Sequence, residues 1–170
     1  MKQVILLRGV NVGGKNRVEM ALFRELLTRL GCRDVRTYIQ SGNAVVDTDL
    51  PEDALAAGVR SALLAELAVD AGVTARTAAQ WHALTEMMSF SASQIAQAEA
   101  ADAAIEHEYL YFLDAPLPET QRDKLHAMEE GDDVRVIGRE IYLLCRRSIR
   151  LSKTAALLTR LVPGATARNR

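Results

Sequence analysis

The chain has 170 residues, 49% of them hydrophobic and 25% charged, with a formal net charge of -1. This balance is that of ordinary globular proteins and excludes a disordered chain, and the length suits one domain or two small lobes. No apolar run approaches the ~20 residues of a membrane-spanning helix. The opening run Val4-Ile5-Leu6-Leu7 ends at Arg8 and is too short for a signal-peptide core, so a soluble, cytoplasmic protein is expected.

Residues 1–7 read as a strand that is apolar on both faces and hence central in a sheet. Residues 9–15 form a loop carrying Gly9, Gly13 and Gly14. Asn16 followed by Glu19 has the spacing of a capping box, which predicts a helix from Arg17. Met20, Phe23, Leu26, Leu27 and Leu30 then recur at helical spacing until Gly31. Val35, Thr37 and Ile39 alternate with Arg36, Tyr38 and Gln40, the pattern of a half-buried strand. Ser41-Gly42-Asn43 supplies a turn, and residues 44–47 return as its hairpin partner. Pro51 and Glu52 open a second helix, with Leu55, Val59, Leu63 and Leu67 on one face. Residues 73–77 complete a β-α-β-β-α-β order.

A third helix is expected to bury Trp81, Leu84 and Met88, and the Ser-, Gln- and Ala-rich residues 89–104 read as a partly helical connector. The first order then repeats. Residues 108–113 form a strand and 118–128 a helix with Leu125 and Met128. Residues 134–137 and 141–145 make a hairpin across Gly138-Arg139, residues 151–161 a helix ended by Pro163-Gly164, and 166–168 a last strand. Asp34-Val35-Arg36 opens one hairpin and Asp133-Val134-Arg135 opens the other, at matching places in two matching orders. The predicted fold is α+β: two ferredoxin-like (βαββαβ) halves packed together, residues 1–90 and 107–170, joined by a connector at 91–106.

The loop from Arg8 to Asn16 is the most informative stretch. It follows a central strand and leads into the predicted helix, so backbone N–H groups, the helix dipole, Arg8 and Lys15 are expected to favour an anion there. Gly9, Gly14 and Lys15 also match most of a Walker A pattern, but Asn16 stands where a Ser or Thr would hold magnesium. Gln40, Ser41 and Asn43 offer side-chain amides and a hydroxyl to a ligand, although a hairpin turn uses the same residues with no ligand.

These two stretches, read through to Asn43, resemble the bacterial family known as domain of unknown function 1697. The resemblance implies two ferredoxin-like halves and assigns Arg8, Asn11, Gly13, Gly14, Gln40, Ser41, Gly42 and Asn43 to a shared motif, with no activity attached. A third motif of the family, a Ser-Lys pair opening the last helix and then Arg-Asn and an aromatic residue, is matched by Ser152-Lys153 and Arg168-Asn169. The glycine usual before Ser-Lys and the aromatic residue are absent, so the second half is expected to be shortened at its C-terminus.

Elsewhere the chain is sparing with chemistry. Cys32 and Cys145 lack metal-ligand spacing and are expected to be buried, reduced thiols. His82, His107 and His126 have no ligand-spaced partners, and Glu129, Glu130, Asp132 and Asp133 around Gly131 read as a solvated turn. No nucleophile elbow or catalytic triad is present, so no cofactor, metal or reaction is indicated. Two binding readings remain. One is a phosphate-bearing small molecule held by Arg8, Asn11, Gly13, Gly14, Lys15, Gln40, Ser41 and Asn43, with Ser152 and Lys153. The other is a nucleic acid or other polyanion held by Arg146, Arg147, Arg150 and Arg168, in a segment from Cys145 onward that carries no acid. In a third, purely structural reading, the motifs only satisfy buried backbone groups.

Overall fold

The computed structural model describes residues 1–87, 89–128 and 131–169. The chain divides into two compact units, Met1–Met87 and Met88–Arg170. The first contains β1 (Lys2–Arg8), α1 (Met20–Arg29), β2 (Arg33–Tyr38), β3 (Asn43–Asp47), α2 (Glu52–Leu67), β4 (Gly72–Thr77) and α3 (Ala78–Glu86). The second contains α4 (Ala92–Ala101), β5 (Glu108–Phe112), α5 (Glu119–His126), β6 (Asp133–Ile137), β7 (Glu140–Leu144), a 3-10 turn (Ile149–Leu151), α6 (Lys153–Leu161) and β8 (Thr166–Asn169). The fold is thus α+β, with two four-stranded antiparallel sheets in the orders β2-β3-β1-β4 and β6-β7-β5-β8. Among the described residues no helix is long and apolar enough to cross a membrane.

Alternation within the strands decides which side chains meet the helices. In the first unit Ile5 and Leu7 of β1, Ala44 and Val46 of β3, and Val73 and Ala75 of β4 share one core with Phe23, Leu26 and Leu27 of α1 and Leu55, Val59 and Leu63 of α2. In the second, Tyr111, Ile141 and Leu143 gather with Leu125 of α5 and Ala155 and Leu158 of α6. Cys32 and Cys145 are buried in these cores, and neither is in a disulfide. The expected buried stripe of the third helix is carried by Leu84, with Trp81 half-buried; Met88 lies outside the described residues.

The first helix starts three residues later than the capping-box spacing predicts. Its N-cap is Glu19, with no side-chain cap, and Asn16 instead has φ 49 and donates through Nδ2 to Gly9 O at 3.2 Å. The cause is Val18. Its N–H and C=O are both taken by the Asn11 side chain, and its own side chain is buried, which holds residues 16–19 out of the helix. Capping boxes do form at Thr77/Gln80 and Ser91/Gln94, which start α3 and α4. At the other end of α1, Gly31 has φ 82, and Cys32 N–H to Leu27 O with Gly31 N–H to Thr28 O makes a Schellman motif.

The two sheets share a register. Arg36 faces Val45, Val45 faces Val4 and Val4 faces Arg76 across the first sheet. Arg135, Tyr142, Leu110 and Arg168 form the same row in the second. Each row ends in a Thr-Ala-Arg stretch, 74–76 and 166–168, whose guanidinium donates to the carbonyl of the preceding alanine, at 2.8 Å and 2.9 Å.

Candidate functional site

β1 and β3 are antiparallel neighbours with Leu6 opposite Asn43, so the loop leaving β1 and the turn entering β3 emerge at the same end of the first sheet. The glycine loop folds back on itself as a small hairpin. Val12 pairs with Lys15, Lys15 N–H donates to Val12 O at 3.2 Å, and Asn11 N–H donates to Asn16 O at 3.1 Å. Gly13 and Gly14 form its tip with φ 59 and 76, the left-handed pair that a tight primed turn requires. Val10, buried in the core, anchors its base.

Asn11 joins this hairpin to its surroundings. Its Nδ2 donates to Val18 O at 2.8 Å and to Gln40 O at 2.6 Å, while its Oδ1 accepts from Val18 N–H at 2.9 Å. Gly42 makes the second join. Leu7 N–H donates to Gly42 O at 2.8 Å, and a Cβ on Gly42 would stand 2.6 Å from Leu7 Cβ and 2.8 Å from Val10 Cγ2. Asn43 Nδ2 donates to Ser41 Oγ at 2.8 Å inside the turn. The structure therefore brings Arg8, Asn11, Gly13, Gly14, Lys15, Gln40, Ser41 and Asn43 to one end of the unit.

Two of the loop's backbone amides are used internally. The Asn11 and Lys15 amides are spent within the hairpin, and α1 begins only at Met20, beyond residues 16–19. What the tip presents is side chains. Arg8, Lys15 and Arg17 are exposed, with no hydrogen-bond or ion-pair partner among the described residues. Val12, Tyr38 and Ile39 are 68%, 71% and 60% exposed beside them. Ile39 also has φ 48, a left-handed conformation that is a genuine outlier for a β-branched residue. At the opposite end of the sheet the charges are matched. Arg33 holds Asp49 through two contacts of 3.0 and 3.1 Å, and the Met1 ammonium donates to Asp47 at 2.9 Å. The Arg33 hydrogen bond and charge lower the Asp49 carboxyl, and the hydrogen bond from the Met1 ammonium lowers that of Asp47.

In the second unit the candidates do not form one cationic face. Arg146 is engaged with Asp133 and donates to Gln94 O at 3.3 Å. Arg168 lies half-buried on β8, its pKa lowered by burial. Arg147 and Arg150 are exposed. Ser152 caps α6, accepting from Ala155 N–H at 2.9 Å and donating to Asp132 Oδ2 at 2.5 Å, while Asp132 Oδ1 accepts from Arg146 N–H at 3.0 Å. Asp132 is therefore a half-buried bracket between β7 and α6 and not part of a solvated turn; Glu129 and Glu130 lie outside the described residues. Asp132, Arg146, Arg147, Ser152 and Lys153 line a cavity of about 480 Å³. Below it the Cys145 thiol is pushed up to about 12 by burial and then by the Asp132 charge. Among the described residues no group of three or more His, Cys, Asp or Glu side chains is placed to hold a metal ion.

A family model described as "Protein of unknown function (DUF1697)" matches residues 1–142. The chain belongs to the DUF1697 family. The match takes in both motifs of the tip, whereas Arg146, Arg147, Arg150, Ser152 and Lys153 lie beyond it. Among solved structures, the conserved bacterial protein SP0830 from Streptococcus pneumoniae is similar at 23% identity, with 99% of this chain and 92% of that chain covered and a TM-score of 0.70. At that identity the likeness is one of fold. No curated protein matches the sequence. In this DUF1697 chain the sequence reading missed three residues: Arg17 at the tip, Ile39 as a strained exposed position, and Asp132. Arg17 was absorbed into a predicted helix, and only coordinates reveal a positive φ. His107, which has no ligand-spaced partner in sequence, is buried between Cys145 O at 2.7 Å and Asp102 O at 2.8 Å and clasps the strand to the connector.

Proposed function

We propose that the first unit binds an anionic, phosphate-bearing ligand at the tip formed by the Gly13-Gly14 hairpin and the 39–42 turn. The observation that carries this reading is the unpaired state of Arg8, Lys15 and Arg17 around a hairpin held in one conformation by Asn11 and Gly42. A hairpin already held in this way loses little loop freedom on binding, so more of each charge contact appears as affinity. The ligand is held by side chains, with Gln40 as an exposed amide beside them, and not by a phosphate-wrapping backbone loop. Ser152 and Lys153, with Arg147 and Arg150, are a second and separate candidate surface on the other unit.

Inorganic tripolyphosphate tests the reading. At about a hundredfold excess over Kd it is expected to stabilise the fold by about 2.7 kcal/mol, and the triple variant Arg8→Ala/Lys15→Ala/Arg17→Ala is expected to lose that shift. An unchanged melting curve for the wild-type chain, or an equal shift in the variant, overturns it.

We further infer that the chain is a duplicated ferredoxin-like unit. The two strand orders, the shared four-residue row and the paired Thr-Ala-Arg and Asp-Val-Arg stretches support a single ancestral βαββαβ segment. The two buried, unbonded thiols fit a reducing, cytoplasmic setting.

A further inference from the structure

We infer that the anion taken by the tip is the backbone of a single-stranded nucleic acid, with Tyr38 as the platform on which a base stacks; this rests on the anion-binding reading above. An isolated phosphate group would use the cations and leave the rest of the tip without a purpose. Tyr38 is 71% exposed at the end of β2, beside Ile39 at 60% and Val12 at 68%. Hydrogen bonding places these three residues together, since Asn11, next to Val12, is bonded to Gln40, next to Ile39. Apolar and aromatic side chains interleaved with unpaired Arg8, Lys15 and Arg17 are what an extended chain of alternating bases and phosphates matches.

Ile39 strengthens the assignment. In a left-handed position Asn or Gly would fold with less strain, yet this chain carries an exposed β-branched residue there. Strain of this kind persists where it holds a side chain for a ligand, and beside Tyr38 an apolar contact to a base face is the chemistry on offer. A duplex keeps its bases stacked internally and so withholds those faces. The preference is therefore for single strands, with little sequence selectivity, because every base has a π-face.

Fluorescence anisotropy of labelled 12-residue oligo-dT and oligo-rU, against a hairpin duplex and unlabelled tripolyphosphate, tests this. With three phosphate contacts the single-strand affinity should fall roughly 18-fold between 50 and 200 mM salt, from a slope of about -0.7 per contact. Each of Arg8→Ala, Lys15→Ala and Arg17→Ala should remove about one contact's worth of that slope. Tyr38→Ala should weaken binding by about 5- to 150-fold, the usual range for one stacked base, and Tyr38→Phe should restore it. Thermal melting of Tyr38→Ala checks that its fold is intact. Equal affinity for the duplex, or indifference to Tyr38→Ala in a folded protein, overturns the inference. Loss of binding in Arg147→Ala/Arg150→Ala with none in the tip variants overturns it as well. Tripolyphosphate binding without oligonucleotide binding sinks the nucleic-acid assignment and leaves the anion reading standing; failure of both removes both.

Discussion

Replacing Gly42 with alanine adds together two destabilising effects that a second glycine separates. At Gly42 the added methyl group would meet Leu7 Cβ at 2.6 Å, Val10 Cγ2 at 2.8 Å and Leu7 Cγ at 2.9 Å, all inside normal contact. Leu7 and Val10 are 1% and 3% exposed, so neither has room to retreat. Overpacking of this kind costs about 1–3 kcal/mol. The left-handed φ of 74 adds about 1–2 kcal/mol for any residue with a Cβ. The sum, about 2–5 kcal/mol, is a large fraction of the ~5–15 kcal/mol that holds a typical protein folded. Gly13→Ala is the control. It has φ 59 but nothing within 4 Å of its new Cβ, so only the conformational part remains, about 1–2 kcal/mol. Urea unfolding of both variants, compared at constant m-value, should show Gly42→Ala less stable than Gly13→Ala by about 1–3 kcal/mol. Equal midpoints would mean that the turn does not pack on the base of the glycine hairpin, and the described tip would be wrong.

Asn11→Ala removes three hydrogen bonds, to Val18 O, Val18 N–H and Gln40 O, and should cost about 1.5–4.5 kcal/mol in the same assay at ~0.5–1.5 kcal/mol each. Asn11→Asp, which keeps an acceptor for Val18 N–H but no donor, should fall between it and the wild type. Ile39→Asn should leave stability within about 1 kcal/mol of the wild type or raise it, because relief of the left-handed strain offsets the little burial lost. The same variant should weaken oligonucleotide binding, and a clear loss of stability would show that Ile39 serves packing. The alkaline arm of the stability curve should fall through the two buried thiols, with Cys145 the more strongly raised and Cys32 also raised by burial. The unfolded Cys145 thiol ionises near its ordinary 9.0, while burial holds the folded thiol up to about 12, so above pH 9 the unfolded state releases a proton that the folded state keeps, and stability declines. Tyr111, raised by burial from 10.0 to about 12, acts in the same direction. Cys145→Ala should make that decline shallower in urea titrations between pH 8 and 10, with Cys32 still contributing, and an unchanged slope would refute the assignment.

The boundaries of the helices show where local rules stopped. Asn16 and Glu19 have capping-box spacing, but the spacing says nothing of Asn11, whose amide claims both backbone groups of Val18 and delays α1 to Met20. Thr77 and Gln80 satisfy the same rule with no rival nearby, and there the box forms. Of the stretches that match between the two units, Asp-Val-Arg was visible from its place in the hairpins. Thr-Ala-Arg became meaningful only once the register put Arg76 opposite Val4 and Arg168 opposite Leu110. The site divided along the same line. Gly13, Gly14, Gln40, Ser41 and Asn43 stood out by residue type, but whether the two stretches met depended on which strand lay beside β1.

The elements and their order were legible in the residues alone, because helix and strand periods, glycine stops and turn residues act over a few neighbours and need no distant partner. The burial of both thiols and the basic ends of the chain were legible in the same way. The surroundings of the glycine loop depended on long-range pairing. Antiparallel pairing of β1 with β3 sets the 40–43 turn against the base of the glycine hairpin, and Asn11 and Gly42 bond across that junction. The bonds that tie the hairpin to the turn, Asn11 to Gln40 and Leu7 to Gly42, join residues far apart along the chain, so no local pattern contains them, and Arg8, Lys15, Arg17 and Tyr38 are left exposed around them.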